Sequence, residues 1–193
     1  NIAVHEFGHN VEQTIDLYHI DHYTLSGVPN TGFTEALAFV FQKRDLMLMG
    51  YDQAVDDNTT LDIFWGLYEI MGVSLVDMRM WQWLYAHPDA TAQQLREATL
   101  AIAKEVWNTY YYPVLGEQDS PILACYSHMV NAPMYLPNYP FGHIVEFQLE
   151  EHLAQFPTKQ AFADEIMRIY KLGKLTPNQW MQQAVGAKVS TTP

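Results

Sequence analysis

Residues His5-Glu6-Phe7-Gly8-His9 constrain this chain more than any other stretch. On an α-helix, positions i and i+4 lie one turn apart on a single face. Two imidazoles at that spacing reach one metal ion from the same side. Glu6, one position on from His5, reaches a water bound to that ion. The chain must therefore open with a helix that keeps one face clear for a metal and packs the other.

The remaining pattern predicts helices almost throughout. The first runs from Val4 to about Tyr18, with Val4, Val11, Ile15 and Tyr18 available to pack. Gly27, Pro29, Asn30 and Gly32 mark a loop over residues 24–32, after which Thr31 or Thr34 could cap a second helix ending near Met49 and Gly50. The polar break Asp56-Asp57-Asn58-Thr59-Thr60 supplies caps for a long apolar helix from Leu61 to Tyr85, bent near Gly72 and stopped by Pro88. Thr91 opens a helix reaching about Tyr112. Six breakers (Pro113, Gly116, Pro121, Pro133, Pro137 and Pro140) then make residues 113–140 irregular, with one short helix near Ile122 to Met129. Phe141 to Phe156, Thr158 to Leu172 and a Thr176-capped segment through Val185 return to helix. Strand signals are poor, and no boundary between domains is visible, so residues 1–193 read as one mainly α domain.

Composition narrows the partners. With 22 acidic and 10 basic residues the formal net charge is −12, which disfavours a nucleic-acid partner, because such proteins need a basic footprint. A single cysteine, Cys125, precludes an internal disulfide. No apolar run is long enough for a membrane span. His5 stands four residues from the first residue, with almost nothing upstream to form a cleft wall. The chain is therefore expected to be part of a longer polypeptide, whose N-terminal portion would be its first partner.

A catalytic zinc site takes three protein ligands and one water. The metzincin pattern would need a third histidine at position 15, which is Ile15, so a carboxylate from a second helix is the alternative. Glu35, in Gly32-Phe33-Thr34-Glu35-Ala36, leads the candidates, since a helix returning antiparallel after a turn-rich loop would deliver it. Glu12, Asp16 and Asp21 compete, and His19 and His22 leave a mixed histidine site open. Glu12 shares a face with His5 but lies about 10 Å along the axis from it.

His5 to His9 followed by Gly32 to Ala36 resembles the gluzincin peptidases related to angiotensin-converting enzyme, with thimet-type oligopeptidases as cousins. The similarity resumes at His128-Met129-Val130-Asn131-Ala132-Pro133-Met134-Tyr135, at Tyr139, and at Phe147-Gln148-Leu149-Glu150-Glu151. It implies a helical, zincin-like fold with a deep cleft between two halves, of which this chain would be the C-terminal catalytic half. It also implies that one zinc ion is held by His5, His9 and Glu35, that Glu6 is the general base, and that His128 binds the substrate backbone. Tyr135 would contact the C-terminal end of a peptide substrate, and Tyr139 would stabilise the oxyanion if one extra residue is allowed around Pro137. His143 reads as structural.

Two positions depart from that family. Its members carry an Asp four residues after the ligand Glu to orient a zinc histidine; here Phe39 stands there, so another acceptor must hold His5. They also carry a Lys two residues before the matching histidine; here it is Tyr126, and dipeptidyl-carboxypeptidase specificity is not implied. The expectation is a zinc-dependent metallopeptidase; the alternative is a degenerate peptidase-like module that binds peptides or proteins without cleaving them.

Overall fold

The computed structural model describes residues 1–51 and 57–192. Among them the chain is mainly helical and contains no strand. The helices are α1 (Ile2–His19), α2 (Thr31–Gln42), α3 (Asp45–Leu48), α4 (Asp57–Ala86), α5 (Ala92–Tyr110), α6 (Tyr112–Leu115), α7 (His128–Asn131), α8 (Asn138–Leu153), α9 (Lys159–Tyr170) and α10 (Pro177–Val185). Short 3₁₀ turns form at Tyr23–Leu25 and Ile122–Ala124. No helix of the described residues is long and apolar enough to cross a membrane.

Although composition shows no break, the chain forms two compact units. The first comprises Asn1–Ala54 and Phe141–Pro193, the second Val55–Pro140. In the first unit α2 is the central helix. Its sequence is apolar nearly all round, and a helix of that kind must be covered on every side. Phe33, Leu37 and Val40 of α2 join Val145 and Leu149 of α8, Ile169 and Tyr170 of α9, and Trp180 and Met181 of α10 in one core. Each such side chain contributes about 1.5–3 kcal/mol by leaving water.

Helix α1 packs beside α2 with an unusual buried face: His5, Gly8, Glu12, Ile15 and Asp16. That stripe has the helical period, but three of its five members are polar. Tyr18, expected to pack, is instead exposed. Gly8 explains the close approach of the two helices. A Cβ on Gly8 would lie 2.9 Å from Ala38 Cα and 3.0 Å from Phe41 Cβ, so a larger residue would push α1 away from α2.

Several boundaries differ from those expected. Asn30, not Thr31 or Thr34, caps α2, its side chain accepting from the Gly32 N–H at 3.0 Å. This leaves Thr34 free of capping duty and inside the first turn. Helix α2 ends at Gln42, short of Met49, and α3 follows as a separate turn. At the break, Arg44 donates to Val40 O and pairs with Glu150 through two bonds of 2.5 and 3.0 Å. Asp56, a proposed cap of the long helix, lies outside the described residues.

In the second unit α4 and α5 form a helical hairpin through residues 87–91, with Val73, Val76, Met80, Ala103, Val106 and Trp107 at its centre. Helix α4 runs unbroken through Gly72. The glycine serves packing there rather than bending, because a Cβ would fall 2.1 Å from the Tyr111 hydroxyl. Thr91 and Gln94 form a reciprocal capping box on α5. Pro113 sits in the first turn of α6, where its missing N–H costs nothing.

Candidate metal centre

The first unit brings His5, His9 and Glu35 together. His5 and His9 project from one face of α1, and Glu35 comes from the second turn of α2. The His5 Nε2 and His9 Nε2 atoms lie 3.1 Å apart. Glu35 Oε2 lies 3.2 Å from His5 Nε2 and 3.8 Å from His9 Nε2. These separations bracket the edge of about 3.3–3.4 Å expected for a tetrahedron with metal–ligand bonds of about 2.0–2.1 Å. Two imidazole nitrogens and one carboxylate oxygen are a donor set for a divalent ion such as zinc, and the three residues could hold one metal ion.

The other ring nitrogens are committed elsewhere, and this decides the tautomers. His5 Nδ1 lies 2.8 Å from Gln42 Oε1, an acceptor, so Nδ1 carries the proton. His9 Nδ1 lies 3.1 Å from Thr34 Oγ1, whose own O–H donates to Glu12 Oε2. Both Nε2 lone pairs then face each other and the Glu35 carboxylate. Three electron-rich atoms in one place repel unless a cation or a proton sits among them. Burial pushes the His5 pKa down, but Glu35, Gln42 and the charge of Glu6 outweigh it, and the net direction is upward. The pocket thus draws positive charge.

Packing makes the geometry stiff. Glu35 is 1% exposed. On its far side Gly142 of α8 presses so close that a Cβ there would meet Glu35 Cβ and Gly32 O, each at 3.0 Å. Phe39 lies with its ring centroid 5.2 Å from that of His5 and stacks on His143 at 3.9 Å. His143 is in turn bonded to the buried Glu146 at 2.9 Å. The position that is Asp in the resembled family is thus an apolar floor here. Gln42, two residues before the α2–α3 break, takes over the task of holding His5.

Glu6 is exposed on α1, next to His5 and open to water. Glu12 and Asp16 turn into the core and Glu12 reaches His9 only by way of Thr34 among the bonds described, while His19, Asp21 and His22 are exposed. His128, Tyr135 and Tyr139 form a cluster of their own in the second unit. The Tyr139 hydroxyl lies 3.3 Å from His128 Nε2, and the Tyr135 ring centroid is 5.9 Å from that of His128 and 5.5 Å from that of Tyr139.

Sequence reasoning missed Thr34, Gln42 and Gly8. A glycine inside a helical pattern signals close packing, so Gly8 could have been found. Gln42 lies seven positions after Glu35, on the same helical face, but nothing in the sequence pairs it with His5. No protein-family model matches this sequence, and no curated protein matches it.

Proposed function

We propose that this chain is the catalytic part of a zinc-dependent metallopeptidase of the gluzincin kind. The observation that carries this reading is the convergence of His5 Nε2, His9 Nε2 and Glu35 Oε2, with both Nδ1 atoms tied to oxygen atoms of α2. The mainly helical fold and the resemblance at Gly32 to Ala36 and His128 to Tyr135 support a zincin-like catalytic half of a larger two-lobed enzyme.

His5, His9 and Glu35 would hold a zinc ion, which would supply Lewis-acid chemistry, making water a better nucleophile near neutral pH and polarising a carbonyl. Glu6 accepts a proton from the attacking water as the new C–O bond forms, then delivers it to the departing amine as the C–N bond breaks. Exposure of Glu6 suits this role, because both water and substrate must reach it. Tyr139 donates its hydroxyl hydrogen to the carbonyl oxygen as charge develops there. His128, beside Tyr139, holds the substrate backbone, and Tyr135 contacts its C-terminal end.

The test is cleavage of a mixed peptide library by the zinc-loaded protein, with and without chelator. We expect cleavage that chelation abolishes and that Glu6→Gln lacks while retaining one zinc per chain. A wild-type protein that binds zinc and peptide yet cleaves nothing would overturn the enzymatic reading in favour of a binding module.

A further inference from the structure

Below the metal centre, the core-facing stripe of α1 continues into two acids that the proposed reaction does not use. Glu12 and Asp16 are each 4% exposed. A buried carboxylate without compensation is costly, and two side by side are worse. Arg44 is committed to Glu150, and Tyr170 of α9, wholly buried, adds a phenol whose pKa burial and the charge of Glu12 raise. Burial and the neighbouring Glu12 push the Asp16 carboxyl up to about 8.

Glu12 is linked to the metal centre through Thr34. Glu12 Oε2 accepts the Thr34 O–H, so Thr34 Oγ1 has only lone pairs to offer His9. His9 Nδ1 must then donate to Thr34, and its Nε2 presents a lone pair toward His5 and Glu35. The reverse polarity would have Thr34 donating to His9 Nδ1. It would place the imidazole proton on Nε2, between the ligands, and block metal binding. By accepting the Thr34 O–H, Glu12 sets which tautomer His9 adopts.

We propose that Glu12 is a positioning residue of the metal centre, acting through Thr34 to hold His9 in the metal-binding tautomer. This rests on the His5-His9-Glu35 site taken above as the zinc site. It also assigns a role to Thr34, which immediately precedes the ligand Glu35 and is released from capping by Asn30.

The experiment combines two readouts on the full chain. The affinity for Zn²⁺ is measured by chelator competition for wild type, Thr34→Val, Thr34→Ser, Glu12→Ala and Glu12→Ala/Thr34→Val. In parallel, the ring ¹⁵N signals of His9 are read in the metal-free protein. We expect Thr34→Val and Glu12→Ala each to weaken zinc binding about 10–100-fold. The double variant should be no weaker than Thr34→Val alone, and Thr34→Ser should bind as wild type does. The wild-type His9 should carry its proton on Nδ1, a preference that Thr34→Val loses. Additive losses in the double variant, or a wild-type His9 protonated on Nε2, would overturn the proposal. Should Glu12→Ala fail to fold, the Thr34 pair and the ¹⁵N signals decide alone. Peptidase activity is not read, so a protein without turnover leaves this result standing, and failure here leaves a zinc peptidase intact.

Discussion

The two groups of candidate site residues are held by different means. His5, His9 and Glu35 sit on two helices that Gly8 lets approach to contact distance, and each imidazole is gripped at its second nitrogen. His128, Tyr135 and Tyr139 come from a proline-broken segment in which α7 spans only four residues. Beneath it lies Asp77 of α4, fully buried, whose pKa the backbone N–H groups of Met134 and Leu136 and the Trp81 indole act to lower. Those two N–H groups flank Tyr135. Met134 is held at φ 59°, in the left-handed region that costs a residue with a side chain about 1–2 kcal/mol. A site borne on long helices inherits its precision from backbone packing. A site borne on a loop depends on the packing of a few side chains, here Met129 and Leu136 in the second core.

Each unit also buries an acid, and the acids differ. Burial raises the pKa of Asp77, and the donors around it pull the other way. Asp16 faces another carboxyl, which adds to burial, and rises to about 8. The comparison can be broken by mutation, and the largest effect belongs to the helical group. Glu35→Ala should abolish stoichiometric zinc binding, measured by metal analysis of purified protein; a retained ion would remove Glu35 from the ligand set. Next, Tyr139→Phe should lower kcat about 10²–10³-fold with zinc content unchanged. An unaltered kcat would reject an oxyanion role for the loop group.

Smaller effects sharpen the contrast between the acids. Asp77→Ala leaves the Met134 and Leu136 N–H groups facing nothing and should cost about 1–3 kcal/mol in chemical denaturation. Zinc affinity should hold, and a matching loss of zinc would mean that the two groups are not independently built. The smallest effect concerns pH. The folded pKa of Asp16 lies above its unfolded value, so the folded state keeps a proton that the unfolded chain releases. Its contribution to stability is therefore full below pH 3.8 and declines as pH rises toward about 8. Asp16→Asn mimics the protonated carboxyl and should flatten the stability profile across that window. A profile as steep as wild type would place the proton elsewhere.

How much was legible in advance follows the same division. His5 and His9 were readable because a helical period converts four positions of sequence into one turn of space. Glu35 was readable because a carboxylate at the start of the next apolar helix can reach back across a short connection, and the structure brings it within 3.2 Å of His5 Nε2. Helical class was readable because the apolar spacing repeats with that period along most of the chain. The stop of α2 at Gln42 was not, since it depends on Arg44 finding Glu150, 106 positions later. The buried placing of Glu12 and Asp16 was equally hidden. Acids on a helix normally face water; here Glu12 accepts from Thr34, and both acids lie within electrostatic reach of the buried Tyr170.

Local spacing alone settled that the chain is helical and that two imidazoles share a face, because backbone geometry within one helix is the same in every protein. The tertiary structure decided everything that needs a partner from another element. It made Gln42 rather than residue 39 the holder of His5, it ran Thr34 and Glu12 behind His9, and it divided the chain into two units without a mark in composition. Hydrogen bonds between helices depend on register and separation, and those emerge only when side chains such as Gly8 and Gly142 allow the backbones to close.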